Sequence, residues 1–133
     1  MNTKDYLSQA YRIDQRINSK LAQVMSLRDL LGKATGTLSG APKAATPNPH
    51  TMEDTIAKMV DLENEINEDI DTLVDLKAEI MRRIKRVENT EYQTILELRY
   101  LCFKRWEVIA VELGYDLRYL YKLHDQALEA CDS

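Results

Sequence analysis

Three polar side chains near the carboxyl end of the chain are spaced as neighbours on one side of a helix. Tyr121 and Lys122 follow Arg118 by three and four residues, and Leu117 precedes it. A guanidinium can bind a guanine edge or a phosphate, an ammonium binds phosphate, and a phenol can bind phosphate or pack on a thymine methyl group. We therefore interpret Leu117, Arg118, Tyr121 and Lys122 as candidate contacts to double-stranded DNA.

Two further groups of basic residues precede this segment. Lys104 and Arg105 stand at the start of a short apolar stretch, where side chains of a supporting helix can contact phosphates. The other group comprises Arg82, Arg83, Lys85 and Arg86. It could contact the DNA backbone or balance the acidic segment before it, and the sequence leaves both interpretations open.

The elements that would position these residues form a short helix, a tight turn and a longer helix. Thr90-Glu91-Tyr92-Gln93 matches a capping box and opens a first helix. A second helix is predicted from Trp106 to Leu113 and a third from Leu117 to Ala130. Between them, Gly114 can take a positive φ and Asp116 can cap the third helix. This order is typical of a helix-turn-helix domain.

Two aromatic residues in this region have a structural interpretation. Trp106 is followed by Ile109, Ala110 and Leu113, a spacing that favours a core anchor. His124 is expected to pack in the helix interior with a satisfied ring nitrogen. The sequence offers no phosphate-binding glycine loop, paired-cysteine zinc motif or nucleophile with a base, so we expect neither an enzyme nor a cofactor or metal site.

The amino-terminal half is predicted to contain two long amphipathic helices. Apolar residues recur at alternating steps of three and four from Tyr6 to Leu31, with Lys20 the polar exception, and again from Ile56 to Val87. Gly32 is expected to end the first helix and the Thr51 to Asp54 segment to cap the second. Between them, residues 33–50 are rich in Gly, Ala, Ser, Thr and Pro, which predicts a flexible linker.

Both long helices must cover their apolar stripes. An antiparallel, coiled-coil-like hairpin within one chain would do so, and it would place basic residues of the first helix near acids of the second. The expected basic residues are Arg12, Arg16, Lys20 and Arg28, and the expected acids include Asp61, Glu65, Glu68, Asp69 and Asp75. Pairing between chains would bury the same stripes, so the sequence leaves that alternative open.

Composition narrows the class of protein. The chain has 133 residues and a net charge of −4, with 44% hydrophobic and 30% charged residues, as in a folded globular protein. No apolar run approaches the roughly 20 residues that cross a bilayer, so we expect no membrane role. Because the amino end has no hydrophobic signal segment, Cys102 and Cys131 are expected to be free thiols in the cytoplasm.

Several motifs resemble a family of small phage and prophage proteins from Gram-positive bacteria that has been catalogued as a domain of unknown function. In the carboxyl-terminal part, the resemblance lies in Glu97 to Tyr100, Trp106 to Tyr115, and Tyr121 to Leu128. It extends to the Tyr11 to Ile17 and Ile70 to Leu73 segments. The end of that family is similar to sigma-factor region four, although Phe103 and Lys104 stand where sigma factors often have Gly.

The resemblance implies binding to promoter or operator DNA, with host RNA polymerase as a further partner, as in phage late-gene regulators. We expect an all-α fold with a helical hairpin over residues 1–88 and a helix-turn-helix domain over residues 89–133. A homodimer would present two recognition helices to a two-fold operator. Two alternatives stay open: a protein-interaction module that does not bind DNA, and a DNA-recognising packaging component similar to a small terminase subunit.

Overall fold

The helical periodicity of the sequence appears as helices in the part of the chain that the structure describes. In the computed structural model, which describes residues 1–38 and 49–132, all regular structure is helical. The five helices are α1 (Thr3–Leu38), α2 (Pro49–Lys85), α3 (Thr90–Leu96), α4 (Trp106–Leu113) and α5 (Leu117–Asp132). A π-helical turn, Glu97–Leu101, continues α3. The predicted fold class, a pair of long helices followed by a small helical region, is confirmed.

The chain divides into two compact units, and each long helix contributes to both. Residues Gln15–Asp71 form one, which we call the hairpin unit. Met1–Asp14 and Thr72–Ser133 form the other, which we call the terminal unit. The carboxyl-terminal helices therefore belong to the same compact unit as the first turns of α1 and the last turns of α2. The predicted domain boundary after residue 88 falls inside the terminal unit.

In the hairpin unit, α1 and α2 run antiparallel with an apolar seam between them. Ile17, Val24 and Ile66 are buried there. The Lys20 ammonium lies 2.7 Å from Asp69 and 3.3 Å from Glu65, and its side chain is only 12% exposed. Lys20 is therefore a half-buried bridging residue, and its ion pairs with Glu65 and Asp69 confirm the charge pairing predicted for Lys20.

Other parts of the predicted apolar stripes are not covered. Ile56 and Ile70 belong to the stripe predicted for α2, yet they are 50% and 41% exposed. One helical neighbour covers only part of the circumference of another, so a stripe this wide keeps an uncovered flank.

The terminal unit contains two clusters of buried residues. The first joins Leu7 and Ala10 of α1 to Ile80 and Ile84 of α2 and to Leu96, Tyr100, Ala127 and Cys131. The second joins α3, α4 and α5 through Ile95, Ile109, Ala110, Leu120 and Leu123. A hydrogen bond of 2.5 Å from the Thr3 hydroxyl to Asp132 links the two ends of the chain. The helices that carry the candidate DNA contacts are thus packed against α1 and α2.

Helix α1 extends beyond the end that the sequence predicts. Its helix continues through Gly32 to Leu38, so the prediction that Gly32 terminates it is wrong. A glycine inside a helix costs only about 1 kcal/mol relative to Ala, and no proline occurs before Pro42. Part of the predicted linker is therefore helical, whereas residues 39–48 lie outside the described residues. Helix α2 begins at Pro49, two residues before the predicted cap at Thr51.

The amino terminus of α3 differs from its prediction by one residue. Asn89 is the N-cap, because its side-chain oxygen accepts hydrogen bonds from the amides of Glu91, at 2.9 Å, and Tyr92, at 3.2 Å. The hydroxyl of Thr90, the predicted cap, accepts a hydrogen bond from neither amide; the Thr90 carbonyl instead accepts a bond from the Thr94 hydroxyl. Both residue types are good caps, but a cap residue has a non-helical backbone; Asn89 is extended, with φ −76° and ψ 115°, whereas Thr90 is already the first residue of α3.

The connection between α3 and α4 has an unusual backbone. In the π-helical turn, the Cys102 amide donates to the Glu97 carbonyl at 3.0 Å, which is one residue farther than in an α-helix. Phe103 follows with φ 57°, the left-handed region that an aromatic side chain rarely adopts. Its ring packs against the first buried cluster, beneath the Lys77 ammonium at 4.6 Å. This packing holds the chain in the sharp turn that leads into α4.

Candidate nucleic-acid interface

The turn between α4 and α5 has the geometry that its sequence predicts. Gly114 ends α4 with φ 75°, and its amide donates hydrogen bonds to the carbonyls of Ala110 and Val111 in that helix. The Asp116 carboxylate accepts the Tyr119 amide at 2.8 Å and so caps α5. The Tyr115 hydroxyl donates to Glu91, and this hydrogen bond raises the pKa of Tyr115 to about 12. The turn is thereby attached to α3 as well as to its own two helices.

Helix α5 has one buried face and one exposed face. Its buried residues are Leu120, Leu123, His124, Ala127 and Cys131. Arg118 and Lys122 are exposed, and at 100° per residue they lie nearly opposite the buried face. Leu117 and Tyr121 are 36% and 43% exposed and lie at one margin of the exposed face. The structure therefore brings these four predicted contacts together on the first two turns of α5.

The second half of the exposed face carries the opposite charge. Asp125 and Glu129 follow Lys122 at steps of three and four, and both are exposed. The face thus changes from basic near the amino end of α5 to acidic near its carboxyl end. An approaching polyanion would be attracted only by the first two turns.

Trp106 links this face to the region before α4. It is half-buried against the second cluster, as predicted for an anchor. Its ring meets the Tyr121 ring edge-on with centroids 5.6 Å apart, and the His124 ring at 4.5 Å. The Arg99 guanidinium lies 4.6 Å from the centre of the Trp106 ring.

His124 is buried and hydrogen-bonded, as the sequence predicts. Only 5% of its surface is exposed, and its Nε2 lies 2.7 Å from the Tyr100 hydroxyl. Burial lowers the pKa of His124 to about 4, because the charged ring would lose its hydration. Burial also raises the pKa of Tyr100 to about 12, so the phenol keeps its proton and can donate it to the neutral ring.

The two basic residues predicted as contacts before α4, Lys104 and Arg105, have different surroundings. The Lys104 ammonium forms an ion pair of 2.6 Å with Glu112, which reduces its availability to a phosphate. The Arg105 side chain is 84% exposed and lies 3.8 Å from Glu107. Of the two, Arg105 is the freer cation.

The basic cluster at the end of α2 lies away from the amino end of α5. Arg83 covers the Tyr6 ring at 4.9 Å, and Arg83 and Arg86 line a cavity with Ala130, near the carboxyl end of α5. Arg82 and Lys85 are exposed. Arg118 and Ala130 are twelve residue steps apart, which is about 18 Å along the helix. The structure therefore does not place this cluster beside Arg118 and Lys122.

A cleft beside α4 contains residues that the sequence analysis did not single out as contacts. It has a volume of about 210 Å³ and opens at the start of α4. Three basic residues, Lys4, Arg99 and Arg105, and aromatic residues including Tyr11, Phe103 and Trp106 line it. Lys4 and Arg99 are 95 positions apart, so no local pattern could have joined them.

The described residues form neither a metal-binding cluster nor a membrane-spanning helix. There, no group of three His, Cys, Asp or Glu side chains has a metal-binding arrangement. Cys102 is exposed and Cys131 is buried, and both are free thiols. Within the same part of the chain, every helix is too short or too polar to cross a membrane.

Comparison with known proteins identifies one family. A family model described as a protein of unknown function, DUF1492, matches residues 43–132, which include α2 to α5. Neither a curated protein nor a solved structure matches the chain. The matched region is more than half of the 133 residues and contains the whole α4–turn–α5 segment. The chain belongs to the DUF1492 family.

Proposed function

We propose that this protein is a non-enzymatic, sequence-specific DNA-binding regulator of phage or prophage transcription, with α5 as its recognition helix. The observation that carries the proposal is the exposed group of Arg118, Tyr121 and Lys122 on the first two turns of α5. These turns follow a short helix and a glycine turn, the arrangement in which a helix-turn-helix presents its second helix to the major groove.

The charge distribution on α5 supports one orientation toward DNA. Arg118 and Lys122 lie near the amino end, where the helix dipole adds positive potential. Asp125 and Glu129 occupy the later turns, where they would repel phosphates. The amino end of α5 would therefore enter the groove, and its carboxyl end would point away from the duplex.

The proposed partners follow from the resemblance to phage regulators and to sigma-factor region four. A regulator of this type would contact host RNA polymerase while bound to a promoter. A homodimer would bind a two-fold operator with its half-sites about one helical turn apart. Both partners are part of the proposal.

One observation favours a second function, a protein-interaction module. Val111 on α4 is 82% exposed and Val108 is 43% exposed, so α4 presents apolar surface to solvent. A partner protein would gain by covering these side chains, whereas DNA would not. The residues after 88 also carry five Lys and Arg against eight Asp and Glu, which disfavours non-specific attraction to DNA.

The two functions are separated by a binding measurement on DNA from around the protein's own gene. We expect fluorescence anisotropy to show tighter binding to this DNA than to a scrambled duplex, and weaker binding as salt increases. The double variant Arg118→Ala, Lys122→Ala should remain folded, because both side chains are exposed. Each lost base contact would cost about 1–3 kcal/mol, or roughly 5- to 150-fold in affinity for the specific duplex.

A matched control is the double variant Arg12→Ala, Lys58→Ala. It removes the same two types of charge from exposed positions outside α5, and it should bind as the wild type does. If the Arg118, Lys122 variant binds normally, α5 is not the recognition helix. If folded wild-type protein does not bind DNA even at low salt, the protein-interaction function is favoured, and host RNA polymerase is the partner to test.

A further inference from the structure

The cleft beside α4 brings together three cations without a balancing acid in its lining. Lys4 comes from the first turn of α1, Arg99 from the π-helical turn, and Arg105 from the residue before α4. Among the described residues, no carboxylate oxygen lies within 4 Å of the charged groups of Lys4 or Arg99. The charges of Lys4 and Arg99 are therefore available to an anion, whereas Arg105 lies 3.8 Å from Glu107 at the edge of the cleft.

One of these cations is held in place before any ligand arrives. The Arg99 guanidinium donates to the Lys104 carbonyl at 3.0 Å and stacks on Trp106. Lys4 has an exposed side chain, and only its backbone is fixed, in a helical turn that Asn2 caps through a 2.8 Å hydrogen bond from the Asp5 amide. Fixed donors lose less conformational entropy on binding than free surface side chains do.

The aromatic walls favour a small anion over a stacked base. The Trp106 ring already carries Arg99 over its face, and the Phe103 ring carries Lys77 at 4.6 Å. Tyr11 meets Phe103 edge-on with centroids 5.6 Å apart. Protein groups already contact these rings, so a nucleobase could stack on them only by displacing those groups. What they offer an anion is a rigid wall of low polarity, which strengthens its attraction to the cations.

The start of α4 adds a weaker attraction. Arg105 is the N-cap of this helix, and no side chain accepts a hydrogen bond from its first turn. Amides at an uncapped helix start favour an anion. The three cations remain the main attraction, since α4 has only eight residues.

We propose that this cleft binds one phosphate group, which in the DNA complex proposed above is a backbone phosphate beside the groove that α5 enters. The inference rests on that proposed function for the source of the phosphate. The contact between Trp106 and Tyr121 connects the cleft to the exposed face of α5. One duplex could therefore contact both surfaces. The first helix of the chain, through Lys4, would then take part in DNA binding.

The test uses the full-length protein and its own fluorescence. Trp106 is the single tryptophan of the chain and lines the cleft, so its emission reports on binding there. Wild-type, Lys4→Ala and Lys58→Ala proteins are titrated with the specific duplex, with a scrambled duplex and with inorganic phosphate. Lys58 is the matched control, because it is an exposed lysine that does not line the cleft.

We expect Lys4→Ala to weaken binding to the specific and scrambled duplexes by the same factor, because a phosphate contact carries no sequence information. Loss of one phosphate contact makes the slope of log K against log salt concentration shallower by about 0.9. Between about 50 and 200 mM salt, the wild type should therefore lose about 3.5-fold more affinity than Lys4→Ala. Lys58→Ala should match the wild type.

The outcomes separate this inference from the proposed function. If the wild type binds DNA and Lys4→Ala keeps the wild-type slope, the cleft inference is overturned and the DNA-binding function stands. If the wild type does not bind DNA, the DNA-binding function fails, and inorganic phosphate decides the inference. A change in Trp106 emission that requires Lys4 then supports a site for free phosphate, and no change overturns it.

Discussion

Protonation of His124 should make the stability of this protein depend on pH. In the folded chain the ring is buried and its pKa is about 4, whereas an exposed histidine titrates near 6.5. Below pH 6.5 the histidine of the unfolded chain binds a proton, whereas His124 in the folded chain stays neutral until the pH approaches 4. Stability is therefore full at neutral pH and is lost as the pH falls from 6.5 towards 4.

The size of the effect follows from the two pKa values. At about 1.36 kcal/mol for each tenfold change in proton affinity, the loss is roughly 3 kcal/mol once both states are protonated. Between about pH 7.5 and 5, the same linkage predicts a loss of about 2 kcal/mol. Other titrating groups also act in this range, so a variant without the imidazole is required.

His124→Gln supplies that comparison. Its amide oxygen can accept the Tyr100 hydroxyl as the imidazole does, but it does not titrate. Urea unfolding followed by circular dichroism gives the free energy of unfolding of both proteins at each pH. The stability of the wild type relative to His124→Gln should fall by about 2 kcal/mol from pH 7.5 to 5. Equal pH dependence of the two proteins would refute the assignment of a neutral, buried His124.

The remaining predictions concern backbone conformation and use the same unfolding measurement. Gly114→Ala should destabilise the protein by about 1 kcal/mol, because φ is 75° and no atom lies near enough to obstruct the new methyl group. Gly32→Ala should instead stabilise it by about 0.5–1 kcal/mol, since Gly32 lies inside α1 with open space around it. Equal effects at the two sites would contradict this. Phe103→Gly should be about 1 kcal/mol more stable than Phe103→Ala, because both lose the ring and only glycine adopts φ 57° without strain. The reverse order would mean that Phe103 is unstrained.

The α4–turn–α5 segment could be predicted closely because its signals are local. Gly114 and Asp116 act on the residues next to them, and the spacing of Leu120, Leu123 and Ala127 determines which face of α5 is buried. The same spacing predicted that Arg118 and Lys122 would be exposed. That these residues contact DNA stays a prediction, because a side chain must be exposed to contact DNA but an exposed side chain need not do so.

Helix ends were predicted less well, because several residues satisfied the same local rule. Gly32 can end a helix or be tolerated within one, and Asn89 and Thr90 can each cap α3. Lys104 was predicted as a phosphate contact from its charge and its place at the start of a supporting helix, whereas the structure pairs it with Glu112 in the last turn of α4. In each case the local pattern allowed more than one outcome, and the surrounding structure determined which one formed.

By itself the sequence determined the helical class, the two long amphipathic helices, with Lys20 as a polar member of the first apolar stripe, and the two faces of α5. These properties follow from periodic side-chain spacing and from hydrogen bonds over a few residues. Only the tertiary structure decided that the first turns of α1 pack with the carboxyl-terminal helices, that Phe103 adopts a left-handed conformation, and that Lys4 meets Arg99 and Arg105 at one cleft. The physical reason is that these contacts join residues far apart in the chain, whose proximity is set by burial of the shared core and not by any local preference.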